Sequence, residues 1–310
     1  MALAPGDATL VKSSLDRLMR AYGPAHLDSD PLGLVHAYPR REDREAAAFF
    51  AAALAFGNAK AVRASLRRVL DRLGGRPAET LLGFEIKKDG KLFNGIVHRW
   101  VGSAGLARFA HMTGAALREF GSLEAAFMLD YDPGAATLTG ALAAFRGRLH
   151  ALAPGSAAKK PDGFDYLMPD PSGQGACKRL HLFLKWMVRR DDGVDLGLWR
   201  TPRPDQLVIP LDTHIARIGG LLGLTDRRTP DRRMAEEITA SLKLLNPDDP
   251  AAYDFAISRL GILGHCPRRP DILLCAGCPL QDICRHWRKV PKKKKRAALA
   301  QAASQRGETF

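Results

Sequence analysis

The chain has 310 residues, 46% hydrophobic and 26% charged, with a net charge of +14 and a pI near 9.9. That is enough apolar material for one large core or two modest ones, which excludes a disulfide-stapled miniature fold. The opening MALAPGDATLVKSSLDRLMRAYG lacks a basic segment followed by an apolar run, and no stretch approaches 18 apolar residues. The expectation is therefore a protein of the reducing cytoplasm with no membrane span, in which clustered cysteines bind metal more often than they pair.

Helix-period patterns predict helices over Ala8–Tyr22, Asp43–Phe56, Ala59–Leu73, Leu106–Phe120, Ala135–Leu152, Lys178–Arg190, Thr213–Leu222, Asp231–Leu245 and Pro250–Leu263. No segment alternates as a half-buried strand would, so the expected class is all-α. Gly57 and Gly264 follow apolar runs as helix stops, and Pro230 and Pro250 stand where helices begin. Two Pro- and Gly-rich segments, Ala153–Ala176 and Asp191–Leu211, read as long connections, which in compact proteins are functional or disordered.

Between those connections lies the most basic helix of the body. Leu180, Phe183, Leu184, Met187 and Val188 form its apolar stripe, and Lys178, His181, Lys185 and Arg189 line another face. Such a face is usually solvated. Gly173 and Gly175 just upstream tilt the reading toward Lys185 and Arg189 facing a phosphate backbone, since glycines permit close backbone approach.

Further on, VIPLDTHIARIGGLLGL places Asp212 immediately before an apolar-periodic helix. The ordinary role of such an aspartate is an N-cap. Capping is compatible with catalysis, because an anion fixed by backbone amides can stabilise positive charge developing on a substrate.

The segment GHCPRRPDILLCAGCPLQDICRHW spaces Cys266, Cys275, Cys278 and Cys284 as C-x8-C-x2-C-x5-C. Structural zinc prefers two short knuckles and only one is present, whereas cubane clusters accept asymmetric gaps; a [4Fe–4S] cluster is expected, with zinc as the alternative. Cys177 stands apart as a small buried or helix-start residue. Eight basic residues and no acidic one lie between Arg285 and Arg296; removing them leaves the rest at +6. This basic tail suits a polyanion and binds it without sequence preference.

The V-D-T-H-[IV]-x-R-like segment around Asp212 and the x2 and x5 cysteine gaps together resemble the endonuclease III branch of the helix-hairpin-helix DNA glycosylases. The first cysteine gap is two residues longer than usual there, and the KRLHLFLKWMVR and PLDTH segments are similar to those of a divergent bacterial branch. The resemblance implies a two-lobed all-α fold. Residues 1–40 would pack with the C-terminal lobe, 41–212 form a central domain with the hairpin, and 213–287 form the iron–sulfur lobe. Residues 288–310 are expected to be a disordered basic tail. The resemblance further implies base excision from damaged double-stranded DNA by a nucleoid-associated monomer. Asp212 would be the essential carboxylate and Lys178 a Schiff-base nucleophile one position out of register. Gly173 and Gly175 would hold a phosphate in a hairpin that lacks its usual leading apolar residue, and Asn58 would contact the extruded nucleotide or fill its gap; Asn58 as a residue trailing the helix stop Gly57 is the other reading. Two other readings stay open: a non-catalytic DNA-binding scaffold, and a zinc-stabilised RNA-binding protein.

Overall fold

The computed structural model describes residues 8–155 and 161–307. Among them the chain is helical throughout, and extended backbone pairs only as single bridges, His98 with Val101 and Gly175 with Asp231. The longer helices are α1 (Ala8–Ala21), α2 (Arg41–Ala53), α3 (Ala59–Leu73), α4 (Ser103–Phe120), α5 (Thr139–Ala151), α6 (Lys178–Val188), α7 (Thr213–Leu222), α8 (Arg232–Lys243), α9 (Asp254–Ile262) and α10 (Lys292–Gly307). Local chemistry sets several ends. Asn58 accepts from the Lys60 amide at 2.9 Å to start α3, and Asp231 accepts from the Met234 amide at 2.9 Å to start α8. No helix among the described residues is long and apolar enough to cross a membrane.

Two apolar cores organise these helices. The first is built on α2 and α6, which are buried continuously over Glu45–Ala53 and Arg179–Val188. Phe49 of α2 lies 4.8 Å from the Phe109 ring of α4 and 5.0 Å from the Phe183 ring of α6. The second core gathers Val11, Leu15 and Leu18 of α1 with α7, α8 and α9. The N-terminal helix thus packs with C-terminal ones, whereas Leu32 and Val35 already belong to the first core.

Burial forces two acidic residues of α2, Asp43 and Glu45, to find amide partners. Glu45 accepts from the Leu123 and Glu124 amides at 3.0 and 3.1 Å, capping the helix Leu123–Met128, and from the Trp199 indole at 2.7 Å. Burial still raises the Glu45 pKa, against the pull of those donors. Asp43 caps Pro77–Leu82 through the Ala78 amide at 3.0 Å.

Two expectations change. The connection Asp191–Leu211 is not loose: Val194, Leu196, Trp199 and Leu207 are buried in the first core, so this stretch is packing material. The expected disordered tail contains helix α10. Its alanines are strong helix formers, and Ala298 and Ala302 pack on Ala276 and Trp287, which offsets the unfavourable lysines at its N-terminus. Of the other connection, Phe164–Leu167 is a helical turn, and residues 156–160 lie outside the described part.

Candidate active site

A cleft of about 1000 Å³ opens between the two cores. Its walls come from the turn between α2 and α3, one side of α6 from Lys178 to Trp186, the segment preceding α7, and α9. Asn58, the α6 residues Lys178 and Lys185, and Asp212, from three separate parts of the sequence, all line it.

Asp212 is held by its own helix. Its Oδ1 accepts from both the His214 and Ile215 amides at 2.8 Å. Among the described residues Oδ2 accepts no hydrogen bond, so one oxygen anchors the group while the other is left for a ligand. The side chain of His214 packs into α9, where a Cβ on Gly261 would stand 2.3 Å from its Nδ1. Gly261→Ala is therefore expected to push the first turn of α7 outward and to cost about 1–3 kcal/mol by overpacking, read by urea unfolding.

Lys178 is half-buried at the first position of α6, and its Nζ donates to the Ala55 carbonyl at 3.0 Å. Cys177 before it caps the helix in a left-handed conformation, φ 45°, and burial pushes its thiol up to about 12. Gly173 and Gly175 stand exposed outside the cleft lining, with no positive φ. A Cβ on Gly175 would touch nothing within 4 Å. The fold itself therefore does not demand glycine there, which leaves close approach from outside as a physical use for it. Asn58 combines cap and cleft position, following Gly57 at φ +99°.

The basic face expected along α6 is not a surface. Lys185 is 0% exposed, with its Nζ 2.9 Å from Asp195 and 3.3 Å from Asp254. Arg189 is likewise buried, bound to Asp195 and, at 2.9 Å, to Asp249. Neither cation is aimed outward at a phosphate, because carboxylates from Asp191–Leu211 and from α9 close over them. The ammonium stays charged: two carboxylates raise the Lys185 pKa although burial, the largest influence, opposes it. Asp254, which the sequence does not single out, lines the cleft and is 4% exposed. Burial pushes its carboxyl up to about 6, Lys185 opposes the rise, and Asp212 adds to it.

Sequence reasoning also missed the cleft's rim. On α3, Lys60 and Arg63 line the cleft, and Arg67, Arg68 and Arg72 are exposed further along the helix with Asp71 among them. Beside it Trp100 and Tyr166 pack edge to face at 4.7 Å and Phe56 lies 4.8 Å from Tyr166, with the Arg179 guanidinium 4.0 Å from the Tyr166 ring centre. Trp100 is half exposed. Loop aromatics beside a basic helix were the legible signal for this patch.

The four clustered cysteines surround a second, small cavity with Leu260, Leu280 and Trp287. Cys266 Sγ receives the Arg217 guanidinium at 3.1 Å, and Cys278 Sγ receives the Leu280 amide at 3.5 Å. Burial, with mutual repulsion, pushes the Cys275 and Cys278 thiols up to about 11. Among the described residues no three His, Cys, Asp or Glu side chains are placed so as to hold a metal ion.

Fold and site together define an all-helical protein whose two cores flank a cleft containing a helix-capping aspartate. The family model described as "Protein of unknown function (DUF2400)" matches residues 30–263, and the chain belongs to that family. The match takes in Asn58, Lys178, Asp212 and Asp254 and stops short of Cys266. No curated protein and no solved structure matches the chain.

Proposed function

We propose that this protein is a DNA glycosylase, hydrolysing the N-glycosidic bond of a damaged or mismatched base. The observation that carries the reading is the convergence of Asp212, with one carboxylate oxygen uncommitted, and Lys178 on one cleft large enough for an extruded nucleotide. Extrusion is required because the bond cannot be reached within the base stack. The exposed arginines of α3 suit the phosphates, and the Phe56–Trp100–Tyr166 cluster supplies faces on which bases stack.

In this mechanism Asp212 stabilises the positive charge developing on the sugar, with Oδ1 fixed by two amides so that no reorganisation is needed. Water then attacks the anomeric carbon. Lys178 is the candidate for a second, amine-dependent route that also cuts the strand; to act it must release the Ala55 carbonyl. Cys266, Cys275, Cys278 and Cys284 would hold a [4Fe–4S] cluster: thiols set around a cavity, with N–H donors to two of the sulfurs, suit a polynuclear centre better than a single zinc ion. These cysteines would draw the two ends of their loop together against Ile218, Leu222 and Leu260, and the hydrolysis would rest on the side chains of the cleft.

The test is single-turnover excision on duplexes carrying different damaged bases. Asp212→Asn is expected to slow excision by at least about 100-fold, the scale of one lost electrostatic stabiliser. Equal activity in the variant would sink the mechanism, and DNA binding without excision by the wild type would leave a non-catalytic scaffold. Borohydride trapping with Lys178→Ala as control separates the two routes.

A further inference from the structure

Beneath the cleft lies a buried ion network whose charges do not balance. Lys185 and Arg189 are the cations; Asp192, Asp195, Asp249 and Asp254 face them. Asp192 and Asp249 keep partial contact with solvent, with side chains 36% and 25% exposed. Asp195 is 0% exposed and bridges both cations. Asp254 has the weakest share: its one cation is Lys185, at 3.3 Å, already committed to Asp195 at 2.9 Å. Of the two carboxylates nearest Lys185 it is the one that lines the cleft, where Asp212 adds like charge. The remaining titratable neighbour on the first turn of α7 is His214, whose pKa burial lowers, so it brings no compensating cation. If the network holds one proton, this is where it resides.

We propose that Asp254 is the proton donor of the cleft and that the substrate is therefore an uncharged base. This rests on the glycosylase reading. A cationic alkylated base leaves its sugar as a neutral molecule and needs no acid, whereas an uncharged base leaves as an anion unless a ring nitrogen is protonated. The Asp254 carboxyl gives its proton to that nitrogen as the C–N bond breaks and the bonding electrons pass to the base. Water oxygen bonds to the anomeric carbon, its proton passes to Asp212, and exchange with solvent then removes that proton from Asp212 and restores the one on Asp254. The two carboxyl groups hold opposite roles because one is fixed by amides and the other is buried beside an over-committed lysine.

The decisive experiment follows single-turnover excision against pH. The probes are duplexes carrying one uncharged lesion (uracil, hypoxanthine or 8-oxoguanine) or the cationic 7-methylguanine. The wild type is expected to excise an uncharged lesion at a rate that falls as pH rises beyond about 6. Asp254→Asn is expected to slow this about 100-fold and flatten the fall, while any 7-methylguanine release is unaffected. Asp195→Asn frees Lys185 for Asp254 and is expected to move the fall to lower pH, a displacement that a merely structural role would not produce. A wild-type rate and pH profile in Asp254→Asn, with Asp212→Asn inactive, overturns the inference and keeps the glycosylase. Equal loss on charged and uncharged lesions also overturns it. Excision of no lesion by the wild type overturns the glycosylase reading and this role with it. In that case ¹³C NMR of aspartate-labelled protein still reads the acid: a carboxyl titrating near neutral pH and missing in Asp254→Asn identifies the proton site, and its absence removes the site too.

Discussion

Lys185→Met is expected to destabilise the protein by about 3 kcal/mol at pH 8, measured by urea unfolding. Breaking a buried ion pair by removing one partner costs on the order of 3–5 kcal/mol, because the remaining charge has lost its solvation and gained nothing. The lower end applies here. Asp195 keeps Arg189 after the substitution, so only Asp254 is left without a cation. Asp254 can also escape by taking up a proton, since burial already raises its pKa to about 6 with the ammonium present. Without Lys185 that rise becomes larger in the folded chain alone, so the folded state binds a proton that the unfolded state releases. Stability is then retained at low pH and lost as pH rises through the folded-state titration of Asp254. The deficit should therefore be small near about pH 5 and largest at about pH 8. The double variant Lys185→Met with Asp254→Asn is expected to recover most of the loss, because it leaves no orphaned charge. A deficit independent of pH, or a double variant worse than the single, would contradict this account of the network.

The same network marks the limit of what the sequence discloses. The ends of α3 and α7 are legible because their causes are local: Asn58 and Asp212 cap them, and Gly74 and Gly223 at positive φ stop them. Asp212 is legible as a cap for the same reason, while its candidacy as a catalytic group rests on the resemblance of its segment to the glycosylase motif. The basic stripe of α6 misled because its fate is decided at a distance. Whether Lys185 meets solvent or carboxylate depends on Asp195, in a loop that periodicity cannot place, and on Asp254, in another helix. Trp199 belongs to that loop too, and its anchoring by Glu45 turns a stretch with the composition of a flexible connection into core. Asp254 carries no local mark beyond first-turn acidity; only its burial beside an occupied lysine separates it from other helix-start acids. The tail was misjudged by composition, where the lysine run outweighed an alanine face whose partners lie at Ala276 and Trp287.

The largest effect is expected at the cysteines. Cys278→Ser should abolish the visible absorption of anaerobically purified protein and collapse the structure around the second cavity. Four-thiolate metal sites in small domains contribute on the order of 10 kcal/mol to folding, comparable with the whole 5–15 kcal/mol stability of a domain. The loop Cys266–Cys284 has little else to hold it: its helical segments are Ile272–Ala276 and Gln281–Ile283, and only Ala276, Leu280 and Ile283 within it are buried apolar residues. Two consequences separate this from general unfolding. Ala276 and Trp287 are the surface on which α10 packs, so amide exchange over residues 292–302 should accelerate while the first core, built on α2 and α6, stays protected. Arg217 binds the Cys266 sulfur and carbonyl from the same helix that Asp212 caps. Loss of the loop therefore frees the middle of α7 and should lower excision as well, although none of the four clustered cysteines lines the cleft beside Asp212. A colourless wild-type protein loaded with zinc would reassign the metal, and unchanged exchange at residues 292–302 in Cys278→Ser would show that the loop stands without it.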